Sequence, residues 1–367
     1  MKKPVVLILG KIPPPYMGPS IATEIILKSS LNDHYRLIHV DTRAHRSLNS
    51  MGRWSLAKLL RTIMIYSQLK LKILRYWPSL VIIPVSQSTI GFIKDSIFMI
   101  IAKSLFRKTV FHLRGSNFRN WYNKASFFTK WYTRLVLKMA NGVVVQGEGI
   151  KQLFNGLVAD EKLFVVPNGA DYPFVPENKR HQPFTILYLA NLQASKGIQD
   201  LLEAIRLLKL EEIDGFEVNV VGAWRSEELK RTCVDFVREH GLPITFHPAT
   251  SGNAKFEYLQ GADVFVFTPR EPEGHPWVIV EAQAAGLPII ATAQGAIPDA
   301  VEDGKNGFIV GVQMPNEIAS RIKCLLNDAG LHQKMAHESR QTYLNKYTEK
   351  KMVGKMEEMI ENVIRSN

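Results

Sequence analysis

Short apolar runs rich in branched and aromatic residues recur along the 367 residues, and stretches with a helical pattern of apolar positions lie between them. Runs of the first kind suit strands buried on both faces of a parallel sheet, and the stretches between them suit the helices that cover it. In the first half they predict strands at 5–10, 36–40, 80–84, 109–113 and 142–146. In the second half the predicted strands are 185–189, 217–221, 244–247, 263–267, 289–292 and 307–310. Strands alternating with helices imply an α/β, doubly wound architecture in each half. This length suits two domains, each able to bury its own core. Residues 171–183 hold three prolines, several charges and no periodicity, so they read as the connector. Domains are expected at 1–170 and 171–347, followed by a last helix over about 348–366.

Charge divides the halves further. Residues 1–171 carry 25 Lys and Arg against 8 Asp and Glu, a net +17, whereas the remainder stands at −5 of a total of +12. An imbalance of this size suits a first half that meets something anionic. Three basic segments there, 53–77, 92–108 and 121–139, are interleaved with aromatic residues. In the first of them Lys58, Arg61, Lys70, Lys72 and Arg75 accompany Trp54, Tyr66, Tyr76 and Trp77. That mix suits a helix lying in an anionic headgroup layer. Nucleic acid is the other polyanion such charge could meet, but no nucleic-acid motif is present and none is expected as a partner. A solvated helix face with buried aromatics is the plain alternative.

Two cysteines, Cys233 and Cys324, have neither metal nor redox spacing, which fits a reducing cytoplasm. The apolar run 5–9 is short and flows into Lys11 and three prolines, so it reads as a first strand rather than a signal peptide. The longest apolar stretch, 97–106, is broken by Lys103 and falls short of a membrane span. The expected location is cytoplasmic, peripheral on the inner face of the cytoplasmic membrane.

The densest chemistry lies between Ala262 and Gly307, where a strand, a turn, a helix and a second strand carry two glutamates eight positions apart, Glu273 and Glu281. Gly274 lets the backbone turn, and Pro276 suits a first helical position because its missing N–H would be unpaired there anyway. The helix is therefore expected to start near Trp277, with the amides of Trp277 and Val278 turned toward an anion such as a diphosphate. Glu281, one turn further in, is placed to accept two hydrogen bonds from a ribose diol, and Glu273 in the loop faces the same cavity. Gly286-Leu287-Pro288 ends the helix.

This order of strand, Glu-Gly turn, Glu-bearing helix, Gly-x-Pro and strand closely resembles the retaining glycosyltransferases of GT-B fold in family 4, whose signature is E-x7-E. The resemblance implies two Rossmann-like domains facing a cleft, with the last helix, about 348–367, crossing back onto the first. It also implies a nucleotide-sugar donor held by the second domain, the transferred sugar contacting Glu273 and the backbone near His275. In that family the loop matching Ala190–Gly197 carries an Arg and a Lys that hold the donor's diphosphate. Lys196 matches the lysine, while Asn191 stands where arginine is usual and leaves one cation fewer. The family's Gly-Gly pair after the first strand reads Gly18-Pro19 here, which removes one amide. Its HG pair near the reacting carbon reads Arg114-Gly115 after His112, so either His112 or Arg114 could occupy that place. Pro167-Asn168-Gly169 matches a junction segment, and Gly222 and Gly295 match loops bordering the donor, although both would also serve as plain turn glycines.

No Asp-x-Asp and no metal-spaced histidine cluster occurs, so neither a metal nor another cofactor is expected. The partners implied are the nucleotide sugar, a lipid-linked, polysaccharide or lipopolysaccharide acceptor, and an anionic membrane surface. A nucleotide-sugar epimerase or phosphorylase on the same architecture, or a non-catalytic membrane-binding homologue, are the rival readings.

Overall fold

The computed structural model describes residues 3–14, 16–43, 56–174 and 180–366, and the side chains of 56–59 lie outside that description. Of the first basic segment, Arg53, Trp54 and the Lys58 side chain therefore fall outside the described residues. The chain forms two compact units, Met1–Ala170 with Glu349–Asn367, and Asp171–Thr348.

The first unit contains β1 (Val5–Gly10), α1 (Gly18–Lys28), α2 (Leu31–His34), β2 (Arg36–Asp41), α3 (Leu56–Tyr76), β3 (Leu80–Val85) and α4 (Thr89–Ser104). It continues with β4 (Lys108–Leu113), α5 (Phe118–Lys124), α6 (Phe127–Met139), β5 (Gly142–Val145), α7 (Glu148–Lys151) and β6 (Leu163–Val165). All strands are parallel, in the order β2-β1-β3-β4-β5-β6. The edge strand β6 was not expected: its three residues are too short to show a period, and it pairs with β5 directly ahead of Pro167-Asn168-Gly169.

The second unit contains β7 (Phe184–Leu189), α8 (Ile198–Leu210), β8 (Phe216–Val221), α9 (Glu227–His240), β9 (Ile244–His247), α10 (Asn253–Gln260) and β10 (Val264–Phe267). Then come α11 (Trp277–Ala284), β11 (Ile289–Thr292), α12 (Ile297–Ala300), β12 (Gly307–Val310), α13 (Pro315–Asn327) and α14 (Ala329–Lys346). Its parallel sheet runs β12-β11-β10-β7-β8-β9. The last helix, α15 (Glu349–Arg365), follows this unit in sequence but belongs to the first, where Met352, Met356 and Ile360 pack on Val6, Ile8 and Ile82.

Local signals explain several boundaries. In α8, Ile198, Leu201, Leu202, Ile205 and Leu208 are buried at helical spacing. Ser226 caps α9 by accepting from the Leu229 N–H at 3.2 Å, and Gly241, left-handed at φ +56, closes it. Asp263, buried just ahead of β10, accepts the N–H groups of Thr185 at 2.7 Å and His181 at 2.9 Å, which fixes how β7 enters the sheet. The supposed connector begins differently from a free linker. Phe174 is buried in the second unit's core, and Tyr172 stacks on it at 5.9 Å; residues 175–179 lie outside the described residues.

Candidate functional site

In the second unit the chain passes from β7 outward through β8 and β9, then returns to β10 on the other side of β7. Loops leaving β7 and β10 therefore diverge from adjacent carboxyl ends, the place where open parallel sheets form a crevice. Lys196, from the loop after β7, makes an ion pair with Glu273, from the loop after β10. About a fifth of each side chain is exposed, so the pair is accessible without being freely solvated.

The lysine loop is held from two sides. Buried Tyr188 donates its hydroxyl to the Lys196 carbonyl at 2.7 Å, and the Arg270 N–H donates to the Ser195 carbonyl at 2.9 Å. The Arg270 guanidinium in turn grips both oxygens of Asp200, at 2.9 and 2.6 Å, which ties the β10 loop to the start of α8. On the other side Gly295 adopts φ +61, and a Cβ there would lie 1.6 Å from the Glu273 carbonyl oxygen. Gly295 is therefore more than a turn residue, because it lets the loop after β11 press against the backbone of Glu273.

The helix α11 begins at Trp277 as expected, with Pro276 one place earlier than foreseen, at the N-cap rather than the first turn. Pro276 contributes no side-chain cap, and the first turn contains no acid. The helix is apolar nearly all round, with Ile279, Val280, Ala282 and Ala284 fully buried, so its direction is fixed by the core. Its positive end is thereby fixed at the carboxyl edge, close in sequence to Glu273.

Glu281 sits one turn into α11 and is 5% exposed. It does not stand alone: Lys255 of α10 forms an ion pair with its Oε1, and the Tyr172 hydroxyl lies 3.5 Å from the same oxygen. The expectation of a carboxylate offering both oxygens to a diol is thus narrowed to Oε2. Burial pushes the Glu281 carboxyl upward, with Lys255 and Tyr172 opposing it, and burial drives the Tyr172 phenol well above its ordinary range. His275 is 3% exposed, packs its ring 4.7 Å from that of Tyr347, and is driven by burial to about 3. Its imidazole is therefore neutral and packed away from solvent against Tyr347.

Asn191 is exposed, and the Arg225 Nη2 donates to its Oδ1 at 3.3 Å. This contact follows from strand register. Beyond β7 and β8 the two loops stay zipped, with Leu192 N–H donating to Ala223 at 2.9 Å and Arg225 N–H to Leu192 at 3.0 Å. Gly222 permits this close approach, since a Cβ there would lie 1.8 Å from the Ala190 carbonyl oxygen. A cation thus stands beside Asn191 after all, supplied by the neighbouring strand's loop. Lys255, Tyr172 and Arg225 escaped the sequence reading; pairing the loops after β7 and β8 in register would have found the last.

In the first unit a cavity of about 440 Å³ opens at the carboxyl edge, bordered by Gly10, Lys11, Met17, Pro19, His112 and Arg114. Both candidates, His112 within β4 and Arg114 just after it, therefore line one space. His112 is 5% exposed, its Nδ1 is 3.5 Å from Arg114 Nη2, and its Nε2 takes no hydrogen bond among the described residues. Burial holds His112 far below the ordinary imidazole range, with Arg114 a second cause, and burial lowers Arg114 itself to about 10. Gly18 opens α1 directly beside this cavity, with Pro19 in the first turn.

A larger cavity in the second unit, about 700 Å³, lies at the opposite sheet edge among Asp263, His332 and Arg340, away from the Lys196–Glu273 pair. Among the described residues no three His, Cys, Asp or Glu are grouped to hold a metal ion, and no helix is long and apolar enough to cross a membrane.

Residues 174–342 match the family model described as Glycosyl transferases group 1. The capsular polysaccharide biosynthesis glycosyltransferase CapM of Staphylococcus aureus is 26% identical over 187 residues, 50% of this chain and 47% of that protein. The chain spans about half the length, or less, of the curated relatives it first matches. A glycosyltransferase structure from Rickettsia africae superposes with a TM-score of 0.79 at 20% identity, over 100% of both chains. Anabaena HepE in complex with UDP and glucose gives 0.71 at 16% identity, covering 97% of this chain and 99% of that one. The architecture is that of the GT-B glycosyltransferase structures, and the likeness to the glycosyl transferases group 1 model lies in residues 174–342.

Proposed function

We propose that this protein is a retaining glycosyltransferase that carries a sugar from a nucleotide-diphosphate donor to a lipid-linked or polysaccharide acceptor. It needs no metal ion and works peripherally on the inner face of the cytoplasmic membrane. The observation that carries the reading is the Lys196–Glu273 pair at the carboxyl edge of the second sheet, just ahead of the start of α11, with Glu281 one turn further in. The family match, the polysaccharide relative and the likeness to HepE bound to UDP support it, and they make uridine nucleotides the first donors to try.

In this reading Lys196 and the α11 amides stabilise the diphosphate as the glycosidic bond breaks and negative charge gathers on it. Arg225, beside Asn191, adds a second cation at the same loop. Oε2 of Glu281 accepts a ribose hydroxyl, while Glu273 holds Lys196 in place and accepts from the sugar. The acceptor oxygen bonds to the anomeric carbon on the face that the phosphate leaves, and the departing phosphate oxygen takes the acceptor's proton. No protein nucleophile is required. The acceptor engages the basic first unit, whose cavity presents His112 and Arg114.

Incubation with uridine-diphosphate sugars, with and without a polyprenyl-linked or oligosaccharide acceptor, tests the reading. Free nucleotide and a new glycoside are expected only when acceptor is present. An altered sugar formed without acceptor, or a sugar phosphate formed with inorganic phosphate, would point to the epimerase or phosphorylase instead. An inverted anomeric centre in the product would remove the retaining assignment, and loss of turnover on chelation, restored by a divalent ion, would remove the metal-free one.

A further inference from the structure

The helices α3, α4 and α6 link successive strands from β2 to β5, and right-handed crossovers set them in one layer on a single face of the first sheet. The opposite face is covered by α1 and α15. Within the layer the helices touch: Tyr66 of α3 packs on Phe98 of α4 at 4.9 Å, and Tyr132 of α6 hydrogen-bonds Ser96 of α4 at 2.6 Å. Each helix has an inner buried stripe, such as Ile65, Leu69 and Ile73 on α3.

Each also has a second apolar stripe that points outward. Met64 and Leu71 on α3, Ile93 and Ile100 on α4, and Phe127 and Trp131 on α6 are exposed at helical spacing. Of twenty large apolar side chains exposed among the described residues, fifteen lie between Leu60 and Met139, so the exposure is concentrated here rather than scattered. Phe127 and Phe128, at the start of α6, are 77% and 78% exposed.

Charge selects the occupant. Residues 56–139 contain fifteen Lys or Arg and a single acid, Asp95, which is buried. Lys70, Arg75, Arg134 and Lys138 are exposed on the same helices as the apolar stripes. A second copy of this face would repel it, and nucleic acid would leave the apolar stripes in water. An anionic bilayer satisfies both: phosphates meet the cations while apolar side chains enter the acyl boundary.

We infer that α3, α4 and α6 form a monotopic insertion face that seats the first unit in an anionic lipid leaflet, with Phe127, Phe128 and Trp131 as its deepest anchors. The inference rests on the peripheral-membrane part of the proposed function and deepens it from surface attraction to insertion. It does not depend on the transferase chemistry.

The test uses the full chain with vesicles of equimolar phosphatidylglycerol and phosphatidylcholine. Wild type is expected to co-sediment and to resist high salt in part, and its fluorescence to be quenched by lipids brominated on the acyl chain. Trp131→Phe is expected to lose much of that quenching. Phe127→Ser/Phe128→Ser/Trp131→Ser is expected to bind vesicles about tenfold or more weakly, with an unchanged circular dichroism spectrum and unchanged affinity for nucleotide sugar. Sedimentation that salt abolishes and the triple variant retains would overturn insertion while leaving electrostatic attachment standing. No sedimentation at all would overturn both. Conversion of a dimer to a monomer by the triple variant, without change in lipid binding, would assign the face to a second copy instead.

Discussion

Lys255 and Glu281 share a nearly dry site, yet removing one or the other has different consequences. Glu281→Ala takes away the proposed diol contact and is expected to weaken nucleotide-sugar binding by about 1.5–3 kcal/mol, read by calorimetric titration, with little loss of stability. Lys255→Met leaves a carboxylate buried without its cation and is expected to destabilise the second unit by about 3 kcal/mol, read by urea unfolding. If both variants behaved alike, the division into ligand and support would be wrong. Arg225→Ala is expected to raise the dissociation constant for the diphosphate several-fold, whereas Arg225→Lys retains most of it, because a point charge still reaches the loop. An Arg225→Ala titration that matches wild type would leave that guanidinium with no role beyond holding Asn191. Glu273, Glu281 and Lys196 were legible in the sequence because each lies in a short run of chain with its own strand, turn and helix. Their partners were not legible. Lys255 is 26 residues from Glu281 and Arg225 is 34 from Asn191, and only the packing of neighbouring elements brings each pair together.

Eleven of the twelve strands among the described residues begin and end within one residue of where their apolar runs predicted, or match outright, and that accuracy has a physical source. A strand buried on both faces cannot tolerate polar residues, so its ends are marked in the sequence. The edge strand β6 escaped because it is three residues long, and Tyr172 and Phe174 escaped because two aromatics set among prolines carry no period. Loops are the less legible elements, and at the site they matter most. Gly295 shows why. Replacing it with alanine demands a Cβ where the Glu273 carbonyl oxygen already sits, in a left-handed conformation that also disfavours a side chain. The loop carrying Glu273 has to retreat, so Gly295→Ala is expected to lower turnover at least tenfold, since misplacement of about 1 Å suffices for larger losses. Spectra of the folded core should not change. Gly156→Ala is the control, being a left-handed glycine with open space around it in the other unit; equal loss in both would make strain, not the loop, responsible.

Across the molecule, two of the three histidines buried among the described residues set how stability follows pH. His112 and His275 are held neutral by burial, the second down to about 3. An unfolded imidazole titrates near 6.5, so below about that pH the unfolded chain binds more protons than the folded one. The stability these sites support is complete above about pH 6.5 and declines as pH falls toward the folded values, by up to about 1.4 kcal/mol per pH unit for each. Burial shifts Glu281 the other way, so its share has the opposite sign and is lost as pH rises through the carboxylate range. Urea midpoints measured at about pH 7.5, 6 and 5 are expected to fall in wild type and to fall less steeply in His275→Gln; parallel slopes would remove His275 from the account. One further consequence follows from the return of α15 to the first unit. During synthesis, the sheet face beneath Met352, Met356 and Ile360 stays bare until α15 has followed the whole second unit out of the ribosome, so the second unit has the chance to mature before the first is sealed. A stop codon placed just ahead of α15 would therefore cripple the unit whose strands were made first.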